Sequence, residues 1–113
     1  MNVRSIMNKY KKITEHLFDA NADIMFLCET WINPDCQYIF PYFKEVGFEL
    51  CHKPRDSDDK TRGGVVGILV NRNFEIEELN LPEFSSLEAY SCKLETRNIH
   101  DCTLVSLYRP SDL

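Results

Sequence analysis

Three positions in this sequence set a chemically capable side chain at the end of a strand-like segment. Glu29 directly follows the apolar run Ile24-Met-Phe-Leu-Cys28 and precedes Thr30-Trp31. A carboxylate at the mouth of a buried strand is well placed to hold Mg²⁺. That ion takes oxygen ligands, and its usual protein site is one or two carboxylates completed by substrate phosphate. The alternative is a solvated strand-end glutamate. Asn2 closes the first short segment. Its amide can bond a phosphate oxygen or a second carboxylate, or it is a turn residue. Tyr108 ends the last strand-like run, in Tyr108-Arg109-Pro110. A phenol there can donate to a phosphate oxygen or orient an attacking water; otherwise it is an edge aromatic with its hydroxyl in solvent.

Other groupings are weaker. Arg62-Gly63-Gly64 could form a nest of backbone N–H groups around an anion. It lacks the spacing and the Lys-Ser/Thr end of a P-loop, so a turn before a strand is the simpler reading. Asp56, Asp58 and Asp59 lack the EF-hand spacing and read as a solvated loop. The five cysteines, Cys28, Cys36, Cys51, Cys92 and Cys102, contain no Cys-x-x-Cys. Neither a zinc ribbon nor a redox pair is suggested. Free, mostly buried thiols in a reducing compartment are the expectation. His16, His52 and His100 share no metal-ligand spacing with them.

The elements that must position these groups follow from apolar periodicity. Ile6, Tyr10, Ile13, Leu17 and Phe18 recur at three- and four-residue steps, with lysines, Glu15 and His16 opposite. The spacing predicts an amphipathic helix from Asn8 to Ala20. Asn8 is the expected N-cap and Asn21 the expected left-handed stop. The five apolar residues from Ile24 to Cys28 are too few for a helix and predict a strand buried on both faces. The opening is then strand–helix–strand, which demands a parallel pair and a right-handed crossover. Ligand sites in such sheets tend to lie beyond the strands' C-terminal ends, which here carry Asn2 and Glu29.

A helical turn is expected at Phe40 to Val46 and a strand at Gly47 to Lys53. Pro54 to Arg62 is the most polar stretch and reads as an exposed loop. Val65 to Val70 predicts another buried strand. Phe74–Leu79, Leu87–Leu94 and Cys102–Tyr108 alternate and predict an antiparallel meander, with a hairpin loop at Arg97–Asp101. No second helix stands ready to cover the meander, which leaves a sheet face open.

The chain has 113 residues, the size of one domain. It is 43% hydrophobic and 27% charged, a globular composition. Thirteen Lys+Arg against eighteen Asp+Glu give −5 at pH 7. That excludes a protein that coats polyanions through excess positive charge. No apolar run reaches the roughly 18 residues of a membrane span. The basic N-terminal stretch has no apolar segment behind it, so no secretory signal and no membrane partner are expected.

Several of these pieces also stand in a known order. Asn2-Val-Arg-Ser-Ile6 with Asn8-Lys9, Asp23-Ile24, Leu27-Cys-Glu-Thr-Trp31, Arg62-Gly-Gly-Val65, Ile68-Leu-Val70 and Val105-Ser-Leu-Tyr-Arg-Pro110 follow one another. In that order they resemble the N-terminal half of the endonuclease domain of non-LTR (LINE- and jockey-like) retrotransposons. That domain belongs to the endonuclease/exonuclease/phosphatase superfamily. The resemblance runs from Asn2 to Pro110.

It implies an α/β fold, part of a four-layer sandwich of the DNase I-like type, with two sheets face to face and helices outside. It implies hydrolysis of DNA phosphodiester bonds with Mg²⁺ or Mn²⁺, within a reverse transcriptase polyprotein. Carried over residue by residue, Glu29 matches the metal-binding glutamate. Asn2 matches the asparagine that helps organise metal and phosphate, and Tyr108 the tyrosine near the scissile phosphate.

The departures are as specific. The family's Gly-Asp-x-Asn and Ser-Asp-His segments do not occur in these 113 residues, and the strand before Asn2 is clipped to one residue. Val65 stands where relatives often carry a third glycine. The expectation is one incomplete domain over residues 1–113, shortened at both ends and mostly at the C-terminus. It would bind metal weakly and be inactive alone. DNA is the partner the resemblance implies. An intracellular location is expected, nuclear by the family's chromosomal target, although no Lys/Arg-rich import tract is present. The alternative is a non-catalytic interaction fragment that self-associates through its uncovered sheet and unpaired edges.

Overall fold

Among the described residues the alternation of apolar and polar side chains resolves into two α-helices and six strands. The computed structural model describes residues 1, 3–30, 32, 37–52, 66–82, 87–95 and 101–109. A 3-10 turn at Ile6–Asn8 leads into α1 (Tyr10–Asp19), β1 (Ile24–Cys28), α2 (Ile39–Glu45) and β2 (Phe48–His52). Then come β3 (Val66–Asn71), β4 (Glu75–Leu79), β5 (Glu88–Glu95) and β6 (Cys102–Tyr108).

The strands form two antiparallel three-stranded sheets, ordered β1-β3-β2 and β4-β5-β6. The fold class is therefore mixed α/β. Side chains alternate across a strand, so the first sheet has two different faces. Leu27, Phe48, Leu50 and Leu69 turn one way and pack with Ile13 and Leu17 of α1 and Ile39 and Phe43 of α2. Cys51, Val66, Ile68 and Val70 turn the other way and meet Tyr90, Cys92, Leu94 and Leu104 of the second sheet. The layers thus run helices, sheet, sheet.

Tyr10 links the two helices. Its ring meets Tyr42 edge-on at 4.7 Å and Tyr38 at 5.8 Å. Pro41 falls in the first turn of α2, where its missing N–H costs nothing. Between the sheets the Tyr90 hydroxyl bonds the Cys51 thiol, and burial, aided by the Glu49 charge, pushes that thiol up to about 12. Cys28, Cys51, Cys92 and Cys102 are free thiols. Cys51 and Cys92 are buried while Cys102 is exposed; Cys36 lies outside the described residues.

The expected strands from Ile24, Gly47, Val65, Phe74, Leu87 and Cys102 all form, within a residue or two at their ends. The crossover is present in part. Met1 and Val3 exchange backbone bonds with Cys28 in the parallel pattern (Cys28 N to Met1 O 2.9 Å, Val3 N to Cys28 O 3.0 Å), with α1 between the two segments. Within the sheet proper, however, β1 pairs with β3 and is antiparallel to it.

Three local expectations are corrected. Asn8 closes the 3-10 turn rather than capping α1, whose N-cap position is Lys9 without a side-chain cap. β1 is not buried on both faces: only Leu27 is buried and Phe26 is 39% exposed, because β1 lies at the edge of its sheet. Phe18 is 58% exposed although it fits the apolar stripe of α1. Asn21 does take the left-handed conformation expected of it, at φ 50°. The loop over Pro54–Arg62 and most of the Arg97–Asp101 hairpin loop lie outside the described residues.

This packing predicts unequal responses to truncation. Phe43→Ala, which empties a fully buried site under β2, is expected to cost about 3–5 kcal/mol. Phe18→Ala is expected to cost less than about 1 kcal/mol. Urea unfolding followed by circular dichroism measures both.

Candidate functional site

The site nominated by sequence is built at one end of the stacked sheets. Cys28, the last residue of β1, pairs with Val66, the first of β3. Tyr108, the last of β6, pairs with Glu88, the first of β5. Glu29 and Tyr108 therefore reach the same end of the molecule from different sheets.

They meet there. The Glu29 carboxylate lies close enough to the Tyr108 phenol to act on it by charge and by hydrogen bonding. Residues almost eighty positions apart in sequence are thus brought near one another. Partial burial raises the Tyr108 phenol above its ordinary value. The Glu29 charge and hydrogen bond reinforce this, with smaller contributions from Cys28 and Glu88. Burial also raises the Cys28 thiol beside them.

The backbone that carries Glu29 is held in a sparsely populated conformation. Glu29 has φ 55°, and the facing residues Arg4 and Ser5 have φ 45° and 99°. Such left-handed angles are uncommon for residues other than glycine and each costs about 1–3 kcal/mol, so surrounding contacts must impose them. The contacts are visible. Ser5 N–H donates to the Glu29 carbonyl and Ile6 N–H to the Thr30 carbonyl, both at 2.9 Å. Val3, Ile6 and Thr30 are fully buried and anchor the two strands of this clamp. The left-handed step at Glu29 ends β1.

Asn2, the third nominated residue, lies outside the described residues, as does Arg62–Val65. Their neighbours are placed: Met1 and Val3 bond Cys28, and Val66 opens β3 opposite Cys28.

As a metal ligand Glu29 has limited company. Among the described residues no three His, Cys, Asp or Glu side chains gather to hold a metal ion. One carboxylate with a phenol hydroxyl on it is a donor set for a hard divalent cation only if water or phosphate supplies the remaining oxygens. It suits Mg²⁺ or Mn²⁺ bound weakly, and does not suit a structural zinc cage.

Sequence reasoning missed Glu88. It lies directly across the hairpin from Tyr108, and its charge acts on that phenol. The two strands and their hairpin loop were predicted but not their register, which is what sets Glu88 across from Tyr108. His52, which the sequence offered only as a histidine without metal-ligand spacing, is partly buried. Its Nδ1 is a buried side-chain atom without a hydrogen-bond partner among the described residues, and its ring lies 5.3 Å from Phe40. Burial lowers its pKa, so it is a neutral core histidine.

A cleft of about 530 Å³ lies at the opposite end of the first sheet, away from Glu29 and Tyr108, lined by Phe18, Asp23, Gly47, Asn71 and Arg72 among others. Its polar groups largely satisfy each other. Asn71 Nδ2 donates to Asp23 at 3.3 Å and Arg72 Nη1 to the Lys44 carbonyl at 3.3 Å.

Comparison with known proteins adds no relative: no protein-family model, no curated protein and no solved structure matches this chain. Among the described residues no helix is long and apolar enough to cross a membrane.

The raised phenol has a pH consequence with a definite sign. In the unfolded chain a tyrosine deprotonates near 10, and in the folded chain Tyr108 does so at higher pH. Its contribution to stability is complete below 10 and is lost as pH rises through the folded value. Tyr108→Phe cannot show this loss. The stability difference between wild type and Tyr108→Phe is therefore expected to change steadily above pH 10 and to stay level below it. Urea midpoints taken on both sides of pH 10 check this.

Proposed function

We propose that this chain supplies the glutamate-and-tyrosine half of a divalent-metal-dependent DNA phosphodiesterase site, of the kind found in non-LTR retrotransposon endonucleases. The single observation that supports this reading is that the Glu29 carboxylate and the Tyr108 phenol lie within interaction range of each other at one end of two stacked sheets. Resemblance nominated both residues as parts of one metal and phosphate site, which requires that they be close. The layering of helices, sheet and sheet is compatible with three of the four layers of a DNase I-like sandwich, which is the finer fold reading proposed here.

In this reading Glu29 and phosphate oxygens of the DNA hold Mg²⁺ or Mn²⁺. When bound, the ion supplies Lewis-acid stabilisation of the charge that develops on phosphorus oxygens. Tyr108, like any tyrosine, is protonated at neutral pH, and its environment raises its pKa further, so its Oη has a proton to donate. It gives that proton's hydrogen bond to Glu29, or to a phosphate oxygen seated beside it. Asn2 adds an amide donor toward the same phosphate. The left-handed turn at Glu29 sets the direction in which its side chain leaves the backbone.

These groups position and polarise; they do not activate water. The Gly-Asp-x-Asn and Ser-Asp-His segments that would orient and deprotonate a nucleophile are not among the 113 residues. General acid–base groups contribute about 10²–10⁴-fold each. The net charge of −5 adds no attraction toward DNA. The chain by itself is therefore a metal and phosphate platform rather than a working nuclease.

The test is Mn²⁺ titration followed by amide NMR. Paramagnetic broadening is expected first at Cys28, Glu29, Val66 and Tyr108, and is expected to vanish in Glu29→Gln. Broadening centred elsewhere, or unchanged in Glu29→Gln, sinks the reading. Supercoiled plasmid with Mg²⁺ is expected to show no nicking above a Glu29→Ala control; a clear difference would overturn the claim that these residues alone are inactive.

A further inference from the structure

The cleft at the far end of the first sheet is walled by the turns that follow α1, α2 and β3. The first supplies Phe18 and Asp23, the second Gly47, and the third Asn71 and Arg72. Its volume of about 530 Å³ falls within the range of small-molecule sites, about 300–1,000 Å³. Phe18 lines it and is 58% exposed, an aromatic face that the fold itself does not bury. An exposed aromatic ring in a concave site offers a flat surface on which a planar ligand can stack.

The polar groups of the cleft are aimed by their own bonds. Asn71 Oδ1 accepts the Asn73 N–H at 2.9 Å while its Nδ2 donates to Asp23 Oδ1 at 3.3 Å. These bonds fix which way round the amide lies. They leave its second N–H beside the remaining lone pairs of the Asp23 carboxylate, a donor next to an acceptor. Arg72 Nη1 is held on the Lys44 carbonyl, and among the described residues no carboxylate pairs with the guanidinium. A Cβ placed at Gly47 would meet nothing within 4 Å, so the space beside it is open. The bonds from Asn71 N to the Asp23 carbonyl (2.8 Å) and from Arg72 N to the Gly47 carbonyl (2.9 Å) set Asp23 and Gly47 on opposite sides of the end of β3. Neighbouring strands lie about 4.8 Å apart, so the acceptor and the anchored cation stand roughly 10 Å from each other.

We propose that this cleft binds a guanine nucleotide, its base stacked on Phe18, its Watson–Crick edge on Asp23 and Asn71, and its phosphate on Arg72. Each group answers one part of the ligand. A guanidinium fork suits a phosphate, and the open space at Gly47 gives that phosphate room. A simple anion would use Arg72 and leave Phe18 and Asp23 without a role. The separation of the two polar ends is about the length of one nucleotide from base edge to phosphate. Stacking on an aromatic ring accepts any base, so the polar edge must discriminate. A carboxylate accepts both neighbouring N–H donors of guanine, N1–H and N2–H, and the Asn71 amide donates to O6. Adenine offers one amino group beside a bare ring nitrogen and loses one of these bonds. The net charge of −5 opposes an anion at long range, so the affinity is set by the contacts themselves.

Amide NMR titration with GMP tests this, with EDTA present so that no divalent ion bridges the nucleotide to Glu29. The first shifts are expected at Phe18, Asp23, Gly47 and Arg72. Phe18→Ala is expected to weaken GMP binding about tenfold through lost stacking. Arg72→Gln is expected to weaken it about tenfold or more through the lost phosphate contact. Asp23→Asn is expected to bring GMP and AMP to similar affinity, whereas the wild type prefers GMP. Lys12→Gln, which removes the same charge from an exposed position on α1, is expected to change nothing. Phe18 is exposed, so its variant carries the test if Arg72→Gln melts below wild type. A tetranucleotide with a 5′-phosphorylated deoxyguanosine at its start, compared with GMP, separates a strand end from a free nucleotide as the source. No shifts at millimolar GMP, shifts centred elsewhere, equal affinity for AMP in the wild type, inorganic phosphate binding as tightly as GMP, or undiminished binding by Phe18→Ala would each overturn the proposal. None of these outcomes touches the Glu29–Tyr108 site, whose own test is the Mn²⁺ titration.

Discussion

Everything in this fold depends on β3 being apolar on both faces. Val66 to Val70 are all buried, and the strand is the middle one of its sheet. Leu69 turns toward α1 and α2, while Val66, Ile68 and Val70 turn toward the second sheet. One strand therefore belongs to both cores. Gly67 is part of the same solution. A Cβ there would meet the Cys51 carbonyl at 3.4 Å and the Thr30 methyl at 3.7 Å, ordinary van der Waals contact, so the strand is closely enclosed even at its glycine. A charge anywhere along this strand would have to be buried without a partner, at a cost larger than a small domain can absorb.

The order imposed by β3 also determines what happens at its N-terminal end. Because β1 runs antiparallel to β3, the exit of β1 lies beside the entry of β3. Because the second sheet stacks on the first, the exit of β6 arrives there too. A carboxylate and a phenol leaving these two strands then have little choice but to meet. The left-handed angles at Arg4, Ser5 and Glu29 are the local cost of turning two segments sharply at one place. Buried Val3, Ile6 and Thr30 offset that cost by fastening the segments together. Strain of this kind persists where surrounding packing over-determines it.

The same stacking leaves the molecule unequal on its two long sides. Helices cover the outer face of the first sheet, and among the described residues no helix covers the outer face of the second. Glutamates guard one edge of that second sheet and nothing charged guards the other.

Much of the local structure was legible in the order of residues. The helical step of Ile13 and Leu17, the apolar runs of β1 and β3, the alternation of β5 and β6 and the left-handed Asn21 all follow from side-chain type and short-range sterics. These are properties of neighbours in sequence, so sequence is enough to determine them. The candidate chemistry at Glu29 and Tyr108 was legible as residue types at strand ends. Their contact was not, nor was the part played by Glu88, because both depend on register and on how two sheets stack. The exposures of Phe18 and Phe26 were invisible for the same reason: an apolar stripe states what a residue can bury, while the opposing layer decides whether anything reaches it. What sequence alone determined here is the set of elements and the chemistry at their ends. Only the tertiary structure decided which ends meet, because that is set by long-range packing around β3, between residues that are not neighbours in the chain.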